Sequence, residues 1–169
     1  MMIKLFNQFL KRQNVFCSIV ILWLCFTPIQ ILFWLIHEFV LHRADIVLFF
    51  PTPNETLKDV HIVGIVAQTV IVGPLLETLI FQTIVYHLLM LSKWFQSNKY
   101  MIVLVGAVIF SFTHLFTLSY VLFTLTTGAL FMYSYAIKQD KGGYYGYWIT
   151  VILHGLVNIN ALILWHLEK

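Results

Sequence analysis

Three ionisable side chains lie deep inside apolar stretches of this sequence: Glu77, His114 and His154. A carboxylate and two imidazoles can take protons from water, relay protons among themselves, or hold a divalent metal ion with an open position. Such groups are costly in a membrane unless they face a cavity or a partner, so each is a functional candidate. Asn158 lies one helical turn after His154 and adds an amide to the same helical face.

These four residues lie at similar depths in the membrane. The depth of each is the number of residues between it and the polar loop that borders its span, multiplied by the helical rise per residue. Glu77 lies 14 residues before the end of its apolar run, and His114 lies 14 residues after the start of its own. At 1.5 Å per residue, both lie about 21 Å from the same side of the membrane. His154 and Asn158 lie at about 15 and 21 Å by the same count. We therefore expect side chains from three different spans to converge.

The composition is that of an integral membrane protein. Of the 169 residues, 60% are hydrophobic and 10% are charged, against roughly 45–50% and about 25% in soluble domains. The net charge of +3 is small and scattered, which excludes a phosphate-binding surface for nucleic acid. We interpret residues 1–169 as a single membrane domain that is in contact with membrane lipid. The sequence does not indicate an oligomeric state.

The apolar runs predict an all-α transmembrane bundle of about five spans after a short amphipathic helix in residues 1–14. The predicted spans are 15–36, 60–91, two spans within the run 100–137 that break near residues 116–120, and 144–167. A polar stretch, 37–59, separates the first two. With this layout, seven of the ten lysine and arginine residues lie on the side of the membrane that carries the N-terminus, and three lie on the other side. The positive-inside rule then places the N-terminus in the cytoplasm.

The polar residues belong to three short motifs, which read GPLLETLIFQ (73–82), FSFTH (110–114) and HGLVN (154–158). In order and spacing these resemble the EExxxR, FxxxH and HxxxN motifs of the CPBP family, the CAAX proteases and bacteriocin-processing enzymes. The resemblance covers roughly residues 70–160, which we interpret as a protease-like core. It implies an intramembrane endopeptidase of a bacterial cell membrane. Its substrate would be a prenylated peptide, a leader peptide or a segment of a membrane protein.

The resemblance implies catalytic roles for Glu77, His114, His154 and Asn158, and the chemistry of amide hydrolysis agrees. Glu77 would be the general base for a water that His114 shares, while His154 and Asn158 would form an oxyanion site. Glu77, His114 and His154 would also be the ligands of a zinc ion, if a metal is bound. Between the two versions we favour the one that requires no cofactor.

The first motif departs from the family pattern at two positions. Thr78 and Gln82 stand where the motif has its second glutamate and its arginine. These positions are four apart on a helix, the spacing of a salt bridge, so losing both charges leaves neither one unpaired. We expect a weakened but working site, in which Thr78, Phe81, Gln82 and Phe110 support the catalytic residues.

Two other functions stay open on the sequence alone. One is a non-catalytic membrane protein of the same fold, acting in bacteriocin self-immunity or as a scaffold. The other is a small transporter that uses the same carboxylate and histidines as a proton relay. The transporter would be expected to carry a paired charge or a broken-helix repeat, and the sequence contains neither.

Overall fold

The computed structural model describes residues 2–36, 62–139 and 142–167, and within these ranges the chain forms helices and no strands. The predicted all-α class is confirmed, and the predicted polar stretch 37–59 lies outside the described residues. The helices, in chain order, are α1 (Met2–Arg12), α2 (Val15–Ile36), α3 (Ile62–Leu89), α4 (Lys93–Ser97), α5 (Lys99–Phe112), α6 (Leu118–Gln139) and α7 (Tyr145–Leu167).

Four of the described helices are long and apolar enough to cross a membrane: α2, α3, α6 and α7. Helix α5 is also apolar but has only 14 residues, so it spans about 21 Å of a hydrocarbon layer about 30 Å thick. The predicted break in the run 100–137 is confirmed, because α5 ends at Phe112 and α6 begins at Leu118. In its described residues, the bundle of this integral membrane protein therefore contains four full-length helices and one partial helix.

The predicted amphipathic N-terminal helix is present as α1, and it is attached to the bundle. Phe6 and Phe9 are exposed on one face, whereas Leu10 is completely buried. The buried ammonium of Lys138, in the last turn of α6, donates hydrogen bonds to the carbonyl oxygens of Leu10 at 2.7 Å and Gln13 at 2.9 Å. A cation at the end of a helix also interacts favourably with the helix dipole, so Lys138 holds α1 against α6.

Helices α5 and α6 pack closely because small residues face their contact. A Cβ placed on Gly106 would collide with the Met132 side chain, and one on Gly128 would lie 3.2 Å from the Ala107 Cα. Small residues are what allows membrane helices to approach each other this closely. The contact also buries Phe110 between the two helices, which brings the end of α5 next to α6 and α7.

Helices α2 and α7 are joined by amide hydrogen bonds. Gln30 of α2 donates to the carbonyl oxygen of Val157 at 3.0 Å, and Asn160 donates to the Gln30 side chain at 2.9 Å and to the Thr27 hydroxyl at 3.2 Å. Side-chain amides form such bonds between helices because lipid offers them no other partner. Helix α7 is therefore fixed on one side by α2, and its other sides are available to α3 and α6.

Candidate active site

Glu77 lies at an irregularity in α3. The hydrogen bonding of this helix changes from α to π at residues 67–72, returns to α at Gly73–Glu77, and becomes π again at Thr78–Ile84. Such π segments occur frequently at functional sites. A Cβ on Gly73 would be 3.4 Å from Glu77 Oε1, so the carboxylate folds back along the helix over a residue that has no side chain. The Glu77 side chain is 32% exposed.

The carboxylate of Glu77 faces both histidines. Its Oε2 atom lies 3.8 Å from His114 Nε2 and 3.7 Å from His154 Nε2. These separations are too long for direct hydrogen bonds, which have heavy-atom distances of about 2.7–3.2 Å. Each is short enough to be bridged by one water molecule at hydrogen-bonding distance from the carboxylate and the imidazole. The structure therefore brings together three of the four residues that the sequence singled out for catalysis.

His114 follows the last turn of α5, and its ring is held by that turn. Its Nδ1 atom lies 2.9 Å from the carbonyl oxygen of Phe110, which also accepts a 2.7 Å hydrogen bond from the Thr113 hydroxyl. The neutral tautomer that suits this contact carries its proton on Nδ1, because a carbonyl oxygen only accepts hydrogen bonds, and the Thr113 hydroxyl lies 3.0 Å from the same nitrogen. The lone pair on Nε2 then points towards Glu77. The partial length of α5 thus places an acceptor nitrogen inside the membrane.

His154 lies on α7 and is 4% exposed. Its ring packs against Phe131 of α6, with ring centres 4.2 Å apart and planes inclined at 30°, and meets Phe110 at 5.9 Å and 76°. Its buried Nδ1 atom has no hydrogen-bond partner among the described residues. Two aromatic side chains therefore fix the direction in which the ring presents Nε2 to the carboxylate.

The comparison with known families gives the same assignment as the motifs. The family model for type II CAAX prenyl endopeptidases, Rce1-like, matches residues 59–160, which is more than half of the chain and includes all three motifs. The chain belongs to the Rce1-like family. No curated protein and no solved structure matches it.

In this Rce1-like chain, one N–H of the Asn158 amide is used in a contact between two helices. Its Nδ2 atom donates a 2.7 Å hydrogen bond to the carbonyl oxygen of Thr69, in the first π segment of α3. The predicted oxyanion role stays a prediction for the second N–H of this amide. The bond that the structure does contain joins α7 to the backbone of α3.

Thr78 and Gln82, the two altered positions of the Rce1-like first motif, are both completely buried. The hydroxyl of Thr78 and both polar atoms of Gln82 have no hydrogen-bond partner within the described part of the chain. Phe81, between them, packs edge-on against Phe110 with ring centres 5.8 Å apart. The two positions therefore share a buried face of α3, as their spacing predicts, while Phe81 connects that helix to the turn that carries His114.

Sequence reasoning missed three residues that shape the site. Phe131 stacks on His154, and Tyr120 lies beside His114 with ring centres 6.1 Å apart. Both belong to α6, which has many aromatic residues. The sequence does not distinguish the aromatic residues that contact the site from those that only pack between helices. Gly155 was missed as well, although its position directly after His154 is visible in the sequence. A Cβ there would lie only 2.9 Å from the carbonyl oxygen of Val70.

The donor atoms of Glu77, His114 and His154 are of the types that zinc prefers. In the described part of the chain, however, no three such side chains are grouped closely enough to be ligands of one ion. The 3.7 and 3.8 Å separations suit hydrogen bonds to a shared water. We therefore derive no catalytic step through a metal.

Proposed function

We propose that this protein is an intramembrane endopeptidase that hydrolyses a peptide bond in a membrane-attached peptide. The observation that carries the proposal is the position of Glu77 Oε2, 3.8 Å from His114 Nε2 and 3.7 Å from His154 Nε2. Membership of the Rce1-like family supports the reaction class. The surroundings of the carboxylate support the substrate class, because Leu76 and Ile80 beside it are about half exposed and would face lipid.

The two histidines would have different roles, because their rings are held differently. His114 donates through Nδ1 to a carbonyl, so its Nε2 accepts. His154 has a buried Nδ1 without a partner among the described residues, and an orphaned N–H in that position is costly. His154 would therefore carry its proton on Nε2, where it donates. One water could then donate to Glu77 and His114, while the N–H of His154 polarises the substrate carbonyl.

The proposed reaction follows from this arrangement. Glu77 takes a proton from the water as the water oxygen attacks the carbonyl carbon. His114 accepts a hydrogen bond from the second O–H of the water and so orients the attack. The oxygen of the tetrahedral intermediate is stabilised by the Nε2–H of His154. When the C–N bond breaks, Glu77 returns its proton to the leaving amine. The products are an amine and a carboxylic acid, which loses its remaining proton to solvent, and Glu77 is ionised again.

The test is cleavage of a prenylated C-terminal peptide by purified protein in lipid nanodiscs, with the same peptide lacking its lipid for comparison. Glu77→Gln is expected to lower kcat at least a hundredfold, in the range for loss of a general base. Its thermal unfolding temperature should stay at the wild-type value, because this carboxylate makes no close bond to the described residues that the glutamine would lose. Inert wild-type protein would instead indicate a non-catalytic member of the family.

His87 supplies a matched control for the histidines. It lies on α3 near the Tyr135 hydroxyl, at 3.4 Å, and outside the cluster. His114→Gln and His154→Gln should each lower kcat strongly, whereas His87→Gln should retain most of it. Equal losses at all three positions would contradict the assignment of the site.

We further propose that the reaction requires no metal and that the N-terminus faces the cytoplasm of a bacterial cell membrane. The described part of the chain groups no three candidate ligands closely enough for one ion, which supports the first point, and the distribution of lysine and arginine supports the second. Extensive treatment with a chelator should leave the cleavage rate unchanged, and a loss restored by zinc would refute metal independence. Reporter fusions at residues 95 and 169 should report opposite sides of the membrane.

A further inference from the structure

The first π segment of α3 leaves one backbone carbonyl without its helical donor. At the end of this segment the Gly73 N–H bonds the carbonyl oxygen of Gln68, five residues earlier. The next bond in the same register would run from residue 74 to Thr69. Residue 74 is proline, which has no N–H to give. The Thr69 carbonyl therefore lacks a donor from its own helix, which is one of those long and apolar enough to cross a membrane.

Asn158 provides that partner. Its Nδ2 atom lies 2.7 Å from the Thr69 oxygen, and the donor comes from a different helix, 89 residues further along the chain. A side-chain amide on α7 thus completes the hydrogen bonding that Pro74 interrupts in α3. This bond gives Asn158 a function that does not require contact with the substrate.

Two neighbouring contacts fix α7 on the same stretch of α3. The backbone at Gly155 lies so close to the Val70 carbonyl that a Cβ would be 2.9 Å from that oxygen. The Tyr147 hydroxyl donates to the carbonyl oxygen of Leu75 at 3.1 Å. With the Asn158 bond, α7 contacts α3 through backbone carbonyls just before Glu77. His154, one turn before Asn158, is thereby held opposite the carboxylate.

We propose that Asn158 is a positioning residue whose hydrogen bond to the Thr69 carbonyl, made necessary by Pro74, sets the separation between Glu77 and His154. The proposal rests on the proposed function for its effect on catalysis, but the hydrogen bond itself can be tested without activity. It predicts that Asn158 becomes dispensable when residue 74 regains an N–H. An oxyanion donor would be needed whatever residue occupies position 74.

The experiment is a double-mutant cycle with wild type, Asn158→Ala, Pro74→Ala and the double variant, measuring kcat, KM and the thermal unfolding temperature in detergent. Asn158→Ala should lower kcat about tenfold, the equivalent of about 1.4 kcal/mol, with little change in KM. It should also lower the unfolding temperature by roughly 2–6 °C. In the Pro74→Ala background the same substitution should lower kcat less than about threefold and the unfolding temperature by less than about 2 °C.

Two further variants separate the proposed bond from general effects. Asn158→Asp keeps the size of the side chain but turns an oxygen towards the Thr69 carbonyl, so it should be as damaging as alanine and also be relieved by Pro74→Ala. Asn160→Ala removes an amide on the same helix that bonds Gln30 and Thr27 instead. Its loss of stability should be the same in both backgrounds.

Equal losses from Asn158→Ala with proline or alanine at position 74 would overturn the proposal and favour contact with the substrate. If Asn158→Ala cannot be purified folded, recovery of the double variant supports the proposal, and failure of both variants counts against it. If the wild type cleaves no peptide, the proposed function fails. The cycle in unfolding temperature still decides whether Asn158 and Pro74 are coupled.

Discussion

The substitution Gly155→Ala tests whether the close approach of α7 to α3 determines the geometry of the site. Gly155 directly follows His154, and a Cβ on it would lie 2.9 Å from the Val70 carbonyl oxygen. Carbon–oxygen contacts of this kind normally begin at about 3.3 Å, so the two helices would have to separate by about 0.4 Å at this point. The obstacle is backbone, which cannot rotate away as a side chain can.

The expected loss of activity follows from that displacement. His154 Nε2 starts 3.7 Å from Glu77 Oε2, and moving it outwards would take its N–H away from the substrate carbonyl that it is proposed to polarise. A misplacement of 1 Å can cost about a hundredfold in rate, so 0.4 Å corresponds to a loss of about 5–10-fold in kcat. Overpacking should also destabilise the fold by about 1–3 kcal/mol. Peptide cleavage and thermal unfolding in the same detergent measure the two effects.

Gly146→Ala is the matched control. It lies on the same helix, and a Cβ there would be 2.9 Å from the Tyr135 carbonyl oxygen, but the contact is with α6 at the opposite end of α7 from Asn158. The control should lose similar stability with a smaller loss of kcat. If both variants lose activity in proportion to stability, or if Gly155→Ala cleaves at the wild-type rate, the proposed link between helix separation and catalysis is wrong.

Two more predictions concern buried polar side chains. Thr78→Glu with Gln82→Arg should keep or raise the cleavage rate, whereas Thr78→Glu alone should lower it. Both positions are fully buried, and a lone carboxylate there would have no counter-charge. A cleavage rate of Thr78→Glu that matches that of the double variant would refute the pairing of the two positions. Lys138→Met should release α1 by removing the bonds to Leu10 and Gln13, at a cost of about 2–3 kcal/mol. Unchanged hydrogen exchange in residues 2–12 would contradict this.

Much of the fold and the centre of the site follow from counting along the sequence. Apolar length predicts the helices, and a run of 38 residues must break because one span needs only about 20. Depth counted from the loops predicts that Glu77, His114 and His154 meet, and both imidazoles do lie within 3.8 Å of the carboxylate. These predictions succeed because helical rise is constant and the membrane fixes where each helix starts.

The partner of Asn158 could not be predicted in the same way. An α-helical register assigns the carbonyl freed by Pro74 to Val70, four residues earlier, whereas the Gly73 bond to Gln68 moves that register by one residue and leaves the Thr69 carbonyl to be satisfied. A change from α to π hydrogen bonding has no clear sequence signal. The stacking of Phe131 on His154 was also hidden, because it depends on how α6 is rotated against α7.

The breaks in the membrane helices and the proposed chemistry of the site depend on each other. A helix that ends or changes register inside the membrane leaves carbonyls that lipid cannot satisfy. Here His114 contacts the carbonyl of Phe110 at the end of α5, and Asn158 contacts that of Thr69 beside Pro74. The same bonds set the direction of the His114 ring and hold α7, with His154, against α3. His114 and Asn158 are polar, but each satisfies a backbone carbonyl that would otherwise have no donor.

Glu77 satisfies no such backbone group among the described residues, and only its proposed chemistry accounts for it. Glu77→Gln should therefore abolish cleavage without lowering stability, whereas Asn158→Ala should lower both.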